Sequence, residues 1–367
     1  MTLQVQSRQS MIVIFLTLTL IHHSIGLTSH TRRLSANPGI VKKTSDRKLP
    51  IRKFSIPPYL DALTTREHFD SKSRLNSFNE PMGHEDALET IATKDNHKTI
   101  LISSAVAYLG STVVLTKTGI MGPYSPALLA RDIGATVFCT VFALIFVKSI
   151  TTLAAENVLQ PRDSRKLIHT FSAPLFILTW PLFSNLWGSR IFAAFVPLLQ
   201  AIKLYLAAKN KGGSEERELA GAISRSGDSS EVLGGPFIYV VILFSVIVTV
   251  FMDNLSGIMA LSAMAVGDGL ADIVGRRFGK TNKWKFCPDK SIAGSLAFFA
   301  GSSLSSLGLA AWLRYTGSIV TTTSLSALAP KFILISAIST IIELLPIGDD
   351  NWSVPICAGA LSMALLS

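Results

Sequence analysis

The sequence predicts an all-α fold, a polytopic transmembrane helical bundle of about nine spans. Three observations predict it. Mean hydropathy is +0.43 and only 16% of the 367 residues are charged, a composition too apolar for an ordinary soluble chain. From about residue 98 onward the chain is a series of apolar runs, several of them roughly 16 to 20 residues long, near the length a helix needs to cross a bilayer. The loops between these runs also alternate in character, as a chain threading back and forth through a membrane requires.

The net charge of +10 does not indicate nucleic-acid binding, because of where it falls. Residues 1–60 hold nine Lys or Arg against one acid, Asp46, so the rest of the chain is close to neutral. The basic character belongs to the N-terminal address. Residues 1–27 combine Arg8, an apolar core over 11–21 and small residues around Ser24 to Gly26, the anatomy of a secretory signal. Residues 28–60 are rich in Ser, Thr, Arg and Lys, like an organelle transit segment. The two together resemble the address of a plastid reached through the secretory route; the endoplasmic reticulum membrane is the alternative. Residues 61–97 are polar and without periodicity, and are expected to be a disordered linker to a membrane domain over 98–367.

The expected spans are 99–117, 133–153, 167–183, 191–208, 237–252, 255–273, 292–313, 332–345 and 354–366. Loops after the even spans contain Arg162, Asp163, Arg165 and Lys166, then residues 209–235, then 276–290, then Asp349 to Asn351. Loops after the odd spans are short or bland, such as 184–189 and the turn at Asp253 and Asn254. One membrane face therefore holds nearly all the Lys and Arg, and by the positive-inside rule it faces cytosol or stroma.

That face also holds the stretch richest in chemistry, Gly267-Asp-Gly-Leu-Ala-Asp-Ile-Val-Gly-Arg-Arg-Phe-Gly279, followed by Lys290-Ser-Ile-Ala-Gly-Ser295. Asp268 and Asp272 are four apart, so on a helix they share a face and suit a magnesium ion, which takes one or two carboxylates plus phosphate oxygens and water. Ionisable groups at membrane depth are expensive and usually functional. Gly267, Gly269, Gly275 and Gly279 are candidates to let backbone approach phosphate, with Arg276, Arg277 and Lys290 supplying charge-assisted bonds. Ser291 and Gly294 open the next span, where a helix N-terminus attracts anions. The segment Gly275 to Thr281 falls one residue short of a P-loop between its glycines and follows no strand, so it is not one.

Arg165, Lys166 and His169 begin the third span, with His169 on the same helix face as the two cations. Arg165 and Lys166 are candidate phosphate contacts and His169 a candidate general base. Ser224 to Asp228, with Glu231, Gly235 and Pro236, reads as a turn-rich polar loop whose candidate catalytic group is Asp228. Glu343 lies within an apolar span, followed by Asp349 to Asn351, and is expected to be functional or paired with an Arg of another span. Cys139, Cys287 and Cys357 show no metal or disulfide spacing.

From Arg162 onward these motifs, in this order, resemble the polyprenol kinase family, most nearly the plant phytol and farnesol kinases and more distantly dolichol kinase. Ala293 stands where dolichol kinases usually have Glu, which favours the short-isoprenoid branch. The resemblance implies a membrane enzyme that moves the terminal phosphate of a nucleoside triphosphate, typically CTP, to the hydroxyl of an isoprenoid alcohol drawn from the membrane lipid. It also implies a nucleotide site over Asp268 to Ser295, and for the phytol branch a chloroplast membrane and a role in returning phytol to tocopherol synthesis. The alternatives are a cytidylyltransferase of lipid phosphates, with a similar Asp- and Gly-Arg-containing signature, and a transporter, whose expected internal repeat is missing.

Overall fold

The computed structural model describes residues 84–208, 214–224, 229–345 and 350–366. The expected signal and transit segments lie outside the described residues, as do most of the linker and Asp228. Among the described residues the elements are helical: α1 (His84–Lys117), α2 (Pro126–Ala155), α3 (Pro161–Leu178), α4 (Ser189–Ala208), α5 (Ser214–Ile223), α6 (Gly235–Thr249), α7 (Ser256–Phe278), α8 (Ile292–Tyr315), α9 (Leu325–Leu344) and α10 (Asp350–Leu365). Their starts follow local rules. Pro126 and Pro161 occupy the first turns of α2 and α3, and Ser125, Ser291 and Ser324 cap α2, α8 and α9 by accepting from the N–H three residues on.

Each of the nine expected spans coincides with a helix. Among the described residues six helical stretches are long and apolar enough to cross a membrane, namely α2, α4, α6 with its preceding turn from Glu231, α7, α8 and α9. The others differ for stated reasons: α3 has a polar face, α10 is only 16 residues long, and the apolar part of α1 is limited to Leu101–Lys117. Several helices begin earlier than expected, α2 at Pro126, α3 at Pro161 and α9 at Leu325, and two further boundaries matter for the site. α1 starts at His84, so residues 84–97, expected as linker, are helical. α7 continues through Phe278 where hydropathy placed its end at 273, which puts Asp268 well inside the helix and Arg276 and Arg277 in its last turn, where cations complement the helix dipole.

The core is apolar, one large cluster with a smaller one around Leu204, Ile223 and Val232. Trp180, Phe192, Ile258, Phe298 and Phe332 are fully buried within it. At the end away from the basic loops, polar locks fix the turns. Asp132 is 0% exposed and accepts from the Ser184 N–H at 2.6 Å, the Ser184 hydroxyl at 2.7 Å and the Tyr124 hydroxyl at 2.7 Å. Arg190, also buried, donates to Asp253 at 2.6 Å and lies over the Trp187 ring. The odd loops are therefore not bland, because Asp132 and Arg190 beside them are buried and paired, and the more exposed Asp253 is held by Arg190.

Asp132→Ala is expected to lower stability by about 3 kcal/mol, since three donors, two on Ser184 and one on Tyr124, lose a charged acceptor. A lower thermal midpoint of the detergent-solubilised protein, with normal activity of the fraction that remains folded, is the expected pattern.

Candidate functional site

α7 is not uniformly α-helical. Residues Ala263–Gly267 form a π-helical turn, and normal hydrogen bonding resumes at Asp268. Such a turn shifts the carbonyl ladder by one residue and makes room for side-chain partners, which is why π-turns recur at functional sites. Here His169 of α3 meets the Met264 carbonyl, with Nε2 to oxygen at 2.9 Å, and the same Nε2 lies 3.1 Å from Asp268 Oδ2. Both neighbours are acceptors, so Nε2 bears a hydrogen. Lys166 donates to the same Asp268 oxygen at 2.8 Å. The ring of Tyr239 on α6 lies 4.5 Å from that of His169, and the Tyr239 hydroxyl accepts from the Ala173 N–H at 2.9 Å.

The approach of α3 to α7 that creates this cluster depends on Gly269. A Cβ at that position would lie 1.9 Å from Thr170 Oγ1 and 2.8 Å from Thr170 Cβ. Only a bare backbone lets Asp268 reach the α3 cations.

Asp272 lies one turn further on and belongs to a second network. Arg276 donates to it at 2.9 Å and to Asp163 at 2.8 Å, tying α7 to the start of α3, while Arg162 approaches Asp272 at 3.4 Å. Arg276 thus makes ion pairs within the protein, and its Nη2 is buried without a hydrogen-bond partner among the described residues. Arg277 is exposed.

Gly275, Gly279 and Gly294 make room for protein in this structure. A Cβ on Gly279 would meet Ser291 Oγ at 2.2 Å, and Gly275 and Gly294 approach each other and the same Ser291 hydroxyl, closing α7 against α8. Gly267 packs against Phe298. Ser291 itself caps α8, with Oγ accepting from the Gly294 N–H at 3.1 Å.

Lys290 forms a third cluster, donating to Glu343 at 2.5 Å and Asp350 at 2.7 Å. The partner of Glu343 is therefore a loop lysine, in place of the expected span arginine. Burial alone would depress the Lys290 ammonium, but the Glu343 and Asp350 carboxylates outweigh it and hold its pKa well above the ordinary lysine value. The three cysteines are free thiols.

A cavity of about 610 Å³ joins the first cluster to the apolar interior. Its polar end is lined by Arg165, Lys166, His169, Asp268, Asp350 and Asn351, and its apolar part by Phe142, Phe146, Phe176, Val196, Leu204 and Leu243 among others. The volume is in the range of small-molecule sites. One wall is α2, a peripheral helix whose opposite side exposes Val137, Phe138, Val141 and Ile145. Arg165, Lys166, His169 and Asp268 are thus brought together as the sequence places them. Gln200 and Tyr239, which also line the cavity, were not legible in the sequence, because apolar helices gave them no motif.

As a metal site, the donor set is restrained but suitable. Among the described residues no group of three or more His, Cys, Asp and Glu converges. Magnesium bound with a nucleotide needs fewer, since phosphate and water complete its shell. Both protein contacts to Asp268 fall on Oδ2, leaving Oδ1 as a hard oxygen donor. Asp272 would have to release Arg162, whose side chain is 56% exposed and whose contact is long.

Comparison with known proteins points one way. The chain is 36% identical to the "Probable phytol kinase, chloroplastic" of Triticum aestivum over 65% of its own length and 79% of the relative's. It is 37% identical to "Phytol kinase 1, chloroplastic" of Arabidopsis thaliana, over 62% and 74% of the two chains. With "Probable phytol kinase 1, chloroplastic" of Glycine max it shares 35% identity over 64% and 77%. No protein-family profile matches the chain, and no solved structure does.

Proposed function

The chain belongs to the phytol kinase family, and from this we propose that it transfers the terminal phosphate of CTP to the hydroxyl of phytol in a chloroplast membrane, giving phytyl phosphate for reuse in tocopherol synthesis. Membership makes it a phosphotransferase with an alcohol acceptor and a nucleotide donor. The observation that supports the finer reading is the cavity, in which one continuous space has a carboxylate and cations at one end and apolar walls at the other. A lipid-dissolved alcohol and a water-dissolved nucleotide need that combination.

The phosphates enter from the charged mouth. Lys166 and Arg165 line the mouth and offer charge-assisted bonds to the terminal phosphate. Asp268, through Oδ1, and Asp272 are the residues that would hold magnesium, which when bound supplies charge neutralisation on the phosphate oxygens. His169 fixes the Asp268 carboxylate through Nε2, and in the neutral ring its Nδ1 is able to take the hydroxyl proton. Phosphoryl transfer depends mostly on positioning and electrostatics, so this base matters less than the charged groups. Gly269 sets the spacing of the cluster, while Arg276, Gly275, Gly279, Ser291 and Gly294 hold the helix ends that frame it. Lys290, bound to Glu343 and Asp350, places the start of α10 at the mouth.

The prenol tail occupies the apolar part, and burial contributes about 0.8 kcal/mol per methylene. Entry alongside α2, the outermost wall of the cavity, lets the tail come from the bilayer without crossing water.

Membranes containing the protein, given phytol and CTP labelled in the terminal phosphate, are expected to yield labelled phytyl phosphate and CDP. Release of pyrophosphate with cytidine incorporated into lipid would replace the kinase reading with a cytidylyltransferase.

A further inference from the structure

The cavity contains polar groups that the charged mouth does not use. Away from that mouth, three side chains with nitrogen or oxygen face it: Ser172, Gln200 and Tyr239. The Ser172 hydroxyl donates to the Ile168 carbonyl at 2.6 Å and is occupied. The Tyr239 oxygen accepts from the Ala173 N–H, and among the described residues no acceptor takes its hydrogen. The Gln200 amide enters no hydrogen bond among the described residues.

Gln200 and the Tyr239 hydroxyl lie at one depth. Leu204 of α4 packs in one cluster with Ile168 of α3 and Val240 of α6. Since α4 runs toward the mouth, Gln200, four residues earlier, lies about 6 Å deeper. On α3, which runs inward, Ala173 is one turn beyond His169, and the Tyr239 hydroxyl meets its N–H. A tier of unused hydrogen-bonding capacity therefore sits about one turn below the Asp268, Lys166 and His169 cluster.

Gln200 is half-buried, and it shares the cavity lining with Val196, Phe176 and Leu243, so its amide is a polar group facing a largely apolar space without a protein partner among the described residues. Such an amide is open to a hydrogen bond from whatever occupies the cavity. An isoprenoid alcohol has a single polar group, its hydroxyl, which is both donor and acceptor, and a primary amide can satisfy either role. The geometry points to Gln200, assisted by Tyr239, as the residue that binds the hydroxyl of the acceptor alcohol and sets it beneath the phosphate site. This rests on the kinase reading above and adds to it the group that distinguishes an alcohol from a hydrocarbon of the same shape.

The test is Gln200→Leu, which keeps the bulk and removes the amide, in full-length enzyme in membranes and in detergent. The expected result is a KM for phytol raised about tenfold or more, as loss of a buried hydrogen bond gives, with the KM for CTP unchanged. Phytene, the hydrocarbon without the hydroxyl, should inhibit both proteins equally. The thermal midpoint of Gln200→Leu should equal or exceed that of the wild type, and Gln200→Asn should recover part of the phytol affinity. An unchanged phytol KM, or a lower midpoint with both KM values shifted together, overturns the assignment and makes Gln200 structural. Should the wild type phosphorylate no isoprenoid alcohol, the kinase reading fails separately, and thermal shift with phytol still decides Gln200. A phytol-induced shift in the wild type that is absent in Gln200→Leu upholds it; equal shifts, or none in either, overturn it.

Discussion

Asp268→Asn is expected to abolish phosphorylation of phytol, by on the order of 10³-fold or more, without loss of the protein from the membrane. The side chain keeps its shape, so α7 still packs against α3. What disappears is the negative charge that faces Lys166 at 2.8 Å and His169 at 3.1 Å, and with it the proposed magnesium donor. Interactions aimed at charge that shifts during phosphoryl transfer are commonly worth several kcal/mol each. Lys166 also loses its partner in a largely buried place, which costs stability as well as turnover. The assay therefore needs the amount of folded protein beside the rate. Near-normal turnover in Asp268→Asn would remove Asp268 from the proposed site.

The second large effect is expected from a single methyl group. Gly269→Ala places a carbon 1.9 Å from Thr170 Oγ1, closer than any non-bonded contact allows, and the nearby atoms are a branched side chain on a buried helix face. The two helices must separate, at a cost of about 3 kcal/mol or more. That separation draws Asp268 away from Lys166 and His169, so the folded fraction should also lose activity. Thr170→Ala alone is mild by comparison, and combined with Gly269→Ala it is expected to restore part of both stability and rate, because it removes Oγ1 and Cγ2 and leaves only Cβ in the way. Equal stability of Gly269→Ala and wild type in a thermal melt would overturn this close approach of α3 and α7.

The sequence disclosed the parts of the site that depend on charge at membrane depth. Asp268, Arg165, Lys166 and His169 stand out because ionisable groups among apolar runs are rare and expensive, and sorting the loops by side put them at one mouth. All four line one cavity. The same reasoning does not reveal what Arg276, Ser291 and the glycines touch within the protein. Residue type says that an arginine can bind phosphate and that a glycine leaves space, but not what fills that space. Here Arg276 is taken up by Asp163 and Asp272, and the space beside Gly279 by Ser291.

The buried locks at the other end illustrate the converse. Asp132 and Arg190 carry no sequence motif, since nothing in a linear pattern says that Asp132 will face Ser184 across 52 residues of chain. Gln200 was invisible for a related reason. A single amide in an apolar helix is unremarked until neighbouring helices show that it has no partner.

What the sequence by itself determined is the all-helical membrane architecture, the side on which the charges gather, and the family to which the order of motifs belongs. These follow from hydropathy, period and residue type, all of which are local. Only the tertiary structure decided which carboxylate faces which cation, that α7 relaxes into a π turn beside His169, and that the charged mouth opens into an apolar cavity behind α2. Those depend on how closely two helices approach, and that distance is fixed by side chains far apart in the chain, by Gly269 against Thr170 above all.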